Sequence, residues 1–96
     1  MSNNIVVIKT VAGEEIISSL DSLLDGRQVL TKPRVLQLMQ HPSGIQVGFI
    51  PFIISNPDAK CELNDSYIAT IVPATKEIED AYLRNTSGIE IAQSLT

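Results

Sequence analysis

Few residues in this 96-residue chain carry the side chains that catalysis or metal binding needs. There is one histidine, His41, and one cysteine, Cys61. A protein metal centre takes three or four ligands at set spacing, and a nucleophile needs a base within reach. His41 has neither a second histidine nor a spaced cysteine pair to work with. It stands just before Pro42-Ser43-Gly44 and reads as a turn residue. Cys61 lies between Lys60 and Glu62. A neighbouring lysine can lower a thiol pKa, but no base or resolving cysteine accompanies it, so it reads as an ordinary loop thiol. Glu77, Glu79 and Asp80 could suggest a carboxylate pair for acid–base work. They fall in the first turn of a predicted helix, where acids are favoured by the helix dipole alone. No glycine-rich phosphate loop is present. These residues predict no enzymatic activity, no metal and no cofactor.

Positive charge is more concentrated. Arg27, Lys32 and Arg34 are three of the seven basic residues and fall within eight positions. They could make a local anion patch, with Gln28, Gln37 and Gln40 adding amides able to bond phosphates or read bases. The other reading is a solvated strand face, where such residues are common. The chain as a whole is acidic, with seven basic against eleven acidic side chains, a net charge of −4 and a pI near 4.7. A domain that binds duplex nucleic acid through its phosphates usually has the opposite sign, so DNA is not expected as a partner. Aromatic residues make up 4 % and there is no Trp, which leaves a base-stacking platform poorly supplied.

The elements that must position these residues follow from local pattern. A chain of this length makes one domain, residues 1–96, with a thin core. Ile5 to Val11 is rich in β-branched residues and stops at Ala12-Gly13, so it reads as a strand and turn. Glu14 to Leu20 reads as the return strand. Asp25-Gly26 marks a turn. Val29 to Gln40 is a third strand, bent, bulged or at an edge where Pro33 removes a ladder donor. Ile45 to Ile54 is a fourth, Ser55 to Asp65 a polar loop, and Tyr67 to Val72 a fifth strand. After Pro73 the pattern changes to helix over about Lys76 to Arg84, started at Thr75 or Pro73-Ala74 and stopped between Asn85 and Gly88. Ile78 and Tyr82, four apart, should pack together against the sheet. Ile89-Glu90-Ile91 alternates and predicts an extended tail. The fold class is mainly β: a five-stranded bent antiparallel barrel with a C-terminal helix.

Within this frame, Ile45 to Ile54 points to self-association. Ile45, Val47 and Phe49 lie on one parity, and Ile50, Phe52 and Ile54 on the other. A strand apolar on both faces must be covered on both. One face can meet the domain's own core; the other, with any open edge, calls for a second copy. The alternative is a bulge at Gly48 or Pro51 that flips the parity and yields one continuous inner face. The lone cysteine suits a reducing, cytoplasmic interior. The opening residues Met1 to Asn4 have no basic leader for a signal peptide, and no apolar stretch approaches the ~20 residues of a membrane span.

Three stretches together resemble the Sm/LSm-like small β-barrel family, in particular the short Sm-like proteins carried by phages of marine bacteria. They are Ile5-Val6-Val7-Ile8-Lys9-Thr10-Val11-Ala12-Gly13-Glu14-Glu15-Ile16-Ile17, Leu30-Thr31-Lys32-Pro33-Arg34-Val35-Leu36 and Ala81-Tyr82-Leu83-Arg84-Asn85-Thr86-Ser87-Gly88-Ile89. The first looks like the strand, Gly-Glu turn and return strand that open an Sm domain. Sm proteins usually begin with a helix, whereas the helix predicted here is C-terminal. Arg27 stands roughly where the family's RNA-contacting asparagine is expected. The Arg-Gly pair that precedes the last strand is missing from Tyr67-Ile68-Ala69-Thr70-Ile71-Val72. The resemblance implies a homo-oligomeric ring in which the fourth strand of one copy pairs with the fifth of the next. Val47, Phe49, Phe52, Ile68 and Ile71 would then lie at the interface. Two functions stay open. One is a ring that binds single-stranded RNA, with Arg27, Lys32 and Arg34 as its contacts. The other is an assembly module that binds itself or protein partners and no RNA.

Overall fold

A computed structural model describes residues 4–22 and 26–87. Six strands form one antiparallel sheet: β1 (Ile5–Thr10), β2 (Glu15–Ser22), β3 (Arg27–His41), β4 (Gly44–Pro51), β5 (Lys60–Asn64) and β6 (Ile68–Pro73). One helix, α1 (Lys76–Asn85), follows. The order across the sheet is β4-β3-β2-β1-β6. The first half of the 15-residue β3 pairs with β5 and its second half with β4. The expected loop over Ser55 to Asp65 therefore contains a strand. Its signal is a short alternation: Cys61 and Leu63 turn into the core, while Lys60, Glu62 and Asn64 stay outside.

The sheet bends around one apolar cluster and packs α1 on its other face. Val6, Ile8, Ile16, Leu20 and Leu30 fill the inner cluster, joined by Val35, Phe52, Cys61, Leu63 and Ile68. Ile5 and Ile17 pack with Tyr82 of α1 on the outer face, flanked by Val7, Leu36, Phe49, Ala74 and Ile78. Alternation thus buries both faces of the central strands, one against the curled sheet and one against the helix. Among the described residues no ladder joins β6 to β4 or β5, so the sheet is curved and open rather than closed into a barrel.

α1 has its expected start and stop. Thr75 is the N-cap, its Oγ1 accepting from the Ile78 amide, with Glu77 and Glu79 in the first turn. Thr86 closes the other end. The chain departs from a regular ladder at Pro33, as the proline suggests. Ile17 pairs with Arg34 but Ser19 pairs with Thr31, so β3 carries one extra residue there. Lys32 takes the strain with φ of 53°. The bulge flips the parity of β3, which lets Leu30 and Val35 both face the inner cluster. The bulge takes Lys32 out of the ladder, and side chains reach the carbonyls beside it. The Tyr82 hydroxyl lies 2.7 Å from the Lys32 carbonyl and 3.0 Å from that of Thr31; Ser18 Oγ lies 3.1 Å from the latter.

β4 runs without a register shift, so it carries no bulge. Gly48 does not break the ladder. Its missing side chain leaves room for Met39, whose Sδ and Cε would stand 2.6 Å from a Cβ placed there. The strand ends at Pro51, Phe52 turns into the inner cluster, and Ile53 and Ile54 lie exposed in the loop. The turn at Asp25 and the tail at Ile89-Glu90-Ile91 fall outside the described residues.

Candidate functional site

The three basic residues singled out in the sequence do not form one open patch. Arg34 is 4 % exposed, the only charged side chain in the core among the described residues. Its Nη1 donates to the Pro57 carbonyl at 2.7 Å, its Nη2 to Asp58 Oδ1 at 3.0 Å and its Nε to Asn85 Oδ1 at 3.3 Å. This guanidinium ties the loop after β4 and the end of α1 to the β3 bulge. Arg27 pairs with Glu62 across the β3–β5 ladder at 2.8 Å. Lys32 Nζ donates to the Thr86 carbonyl at 3.4 Å, where a cation complements the C-terminal end of α1. The cluster that reads as an anion patch in sequence serves largely to hold the fold.

The other chemistry-bearing residues stay apart. His41 sits at the β3–β4 turn, its Nδ1 3.0 Å from Ser43 Oγ. Cys61 is half-buried against the inner cluster, and that burial pushes its thiol pKa up, away from the reactive thiolate. Among the described residues, no three His, Cys, Asp or Glu side chains gather as a metal site would require. Glu77 and Glu79 lie in the first turn of α1, and Asp80 pairs with Lys76 at 3.3 Å.

What the molecule does present is unpaired sheet edge beside exposed apolar side chains. Among the described residues, β4 and β6 end the sheet on opposite sides, each with one neighbour. The Phe52 amide donates to the Pro33 carbonyl, which fixes the hydrogen-bonding parity of the β3–β4 ladder. Gly44, Gln46, Gly48 and Ile50 therefore bond inward to β3, while Ile45, Val47 and Phe49 turn both N–H and C=O to the free edge. Pro51, the next residue in that row, has no N–H to offer. On the opposite side the Ala74 amide donates to the Ile5 carbonyl, so Thr70 and Val72 bond inward to β1. Ile71 turns its N–H and C=O outward, and Pro73 only its C=O.

The apolar surface follows the same strands. Leu38 is 72 % and Ile45 66 % exposed, with Val47, Met39, Ile71 and Val72 also open. A groove of about 470 Å³ runs along the helix side of the sheet between Val47, Leu36 and Leu38 at one end and Val7, Val72 and Ile78 at the other. Of the interface residues expected from sequence, Val47 and Ile71 are exposed on the two edges. Phe49 packs toward Tyr82, and Phe52 and Ile68 pack against the inner cluster. No helix among the described residues is long and apolar enough to cross a membrane. Neither protein-family models nor curated proteins yield a match to this chain.

Proposed function

We propose that this chain is a non-enzymatic assembly module of Sm-like build, which works by joining copies of itself edge to edge into a closed ring. The observation that carries the reading is the pair of open edges, β4 and β6, on opposite sides of one sheet with apolar side chains along both. A contact between two different surfaces is heterologous and closes into a ring when its rotation allows. The Sm-like reading is supported by the path of the chain: a four-strand meander, then a short 3-10 turn at Asp65–Tyr67 that leads the last strand back beside the first. Assembly is favoured over RNA binding because Arg34 is buried on internal partners, and Arg27 and Lys32 each hold a partner of their own.

The test is the native mass at micromolar concentration, for the natural chain and for Val47→Asp. Val47 is exposed in the single chain, so an aspartate there leaves the fold intact while placing a charge in the joint. The natural chain is expected as a single multiple of 10.5 kDa and the variant as a folded monomer. A natural chain that sediments as a monomer overturns the reading. Electrophoretic shift of U-rich and A-rich oligonucleotides at two salt concentrations should show no complex; a salt-sensitive shift would move the reading to RNA.

A further inference from the structure

We infer that two copies of this chain pair on a two-fold axis through an apolar arm, the outer half of the β3–β4 hairpin, with the arms antiparallel and their helix-side faces in contact. The pairing of β2 with β3 ends at Val35, and that of β5 with β3 lies wholly before the bulge. From Leu36 to His41, β3 therefore pairs only with Gly44 to Phe49 of β4 among the described residues. Six residues per strand make a two-stranded arm roughly 20 Å long and 10 Å wide. Such a ribbon is marginal in water by itself and gains from a cover. Its two faces differ. Leu36 and Phe49 pack toward Tyr82 of α1, so alternation sets Leu38, Val47 and Ile45 on that same helix side, with Gln40 at the tip. Leu38, Ile45 and Val47 lie open there. The reverse face carries Gln37, Gln46 and His41, and its one large apolar side chain, Met39, lies over Gly48.

Charge points to a second copy as the occupant of this face. No Asp, Glu, Lys or Arg stands between Arg34 and Asp58, while the chain as a whole carries −4. Two copies repel over most of their surface, and the arm is where they can meet with no charge to desolvate. The edge joint proposed above lies in the plane of the sheet and leaves this face bare, so the two contacts can coexist. α1 fixes the direction of the arms. It stands on the same side of the sheet at the base of the arm, where the groove runs from Leu36 and Leu38 to Ile78. A second sheet would pack about 10 Å above the first, a level that α1, about 10 Å thick, already occupies. Parallel arms would drive the two helices together. Antiparallel arms set each tip toward the helix of the other copy, with Ile45 over Leu36 and Phe49. The contact is isologous, so the Leu38–Val47 pair of each copy meets the same pair of the other. Two arms that cover each other bury on the order of 400–800 Å² in all, below the roughly 1,200–2,000 Å² of stable dimers. One such contact is weak, but several acting together between two rings are not. The paired rings rest on the edge-to-edge reading, and the paired arms do not; together they give two rings related by dihedral symmetry.

Leu38→Glu tests the face without touching either edge, because β3 lies inside the sheet. The Leu38 side chain is open to water, so the single chain should fold as before, which circular dichroism checks. Met39→Glu puts the same charge on the reverse face of the arm and serves as the control. Native mass is measured for the natural chain and both variants over a range of concentrations. The expected result is an even multiple of 10.5 kDa for the natural chain and for Met39→Glu, and half that mass for Leu38→Glu. One mass for all three oligomers overturns the arm contact and leaves the ring standing. An equal loss of mass in both variants overturns its assignment to the helix side. A natural chain of two copies that Leu38→Glu turns into a monomer upholds the arm contact and removes the ring. A natural chain of one copy at every concentration removes both.

Discussion

Replacing Tyr82 with phenylalanine isolates one hydroxyl on which the β3 bulge depends. The Tyr82 ring is 2 % exposed and packs with Ile5 and Ile17, contacts that phenylalanine keeps. What is lost is the donor facing the Lys32 carbonyl at 2.7 Å and the Thr31 carbonyl at 3.0 Å. The Lys32 carbonyl lies at the extra residue of β3, which takes Lys32 out of the ladder. Ser18 Oγ still reaches the Thr31 carbonyl, whereas the Lys32 carbonyl loses its 2.7 Å donor. Leaving a buried acceptor unmade costs about 1–3 kcal/mol. In a domain of this size that lowers Tm by roughly 4–8 °C for each kcal/mol. Tyr82→Ala adds the loss of the ring and should cost about 3–5 kcal/mol. The assay is chemical and thermal unfolding at one fixed chain concentration, since self-association makes Tm depend on concentration. A Tyr82→Phe chain with an unchanged midpoint would refute the argument that this hydroxyl closes the bulge.

Two further perturbations probe the same region. Arg34→Met keeps the volume of the stem but removes the donors to Pro57, Asp58 and Asn85. Because Asp58 is half exposed and can return to water, the cost should be about 2–3 kcal/mol rather than that of a fully buried broken pair. An unfolding midpoint equal to that of the natural chain would show that the guanidinium is not the tie. Alkali should also destabilise the fold. Burial raises the Tyr82 phenol and the Cys61 thiol above their ordinary values, so both favour folding while neutral. The stability they contribute is complete below their unfolded pKa values and is lost as pH rises through the higher folded ones. Denaturation midpoints that fall above about pH 9, and fall less in Tyr82→Phe with Cys61→Ser, are the expected result. A profile identical in that double variant would assign the loss to other groups.

The parts of this molecule that local chemistry determines were legible in its residues; the parts that distant segments determine were not. Helix α1 could be read because Thr75, the following acids and the Ile78–Tyr82 spacing lie within one short window. The irregularity at Pro33 could be read because proline removes a donor wherever it stands. What proline does not announce is that Lys32 takes the positive φ, or that its carbonyl is met by Tyr82, some 50 residues later. β5 was hidden because a five-residue strand with three exposed polar residues resembles loop, and only its pairing with β3 decides the matter. Arg34 shows the same limit at the candidate site. Beside Lys32 and Arg27 it reads as part of a charged strand face, and it is buried only because Pro57, Asp58 and Asn85 arrive to accept its hydrogen bonds. The open edges are a property of strand order, which no single strand encodes. Once that order is known, the prolines of β4 and β6 gain meaning. Each lacks its amide on the outward side, where no strand among the described residues pairs with it, and each stands at the last residue of its strand. Proline there shortens an edge without abolishing it, which limits indiscriminate strand addition while leaving Ile45, Val47, Phe49 and Ile71 able to pair.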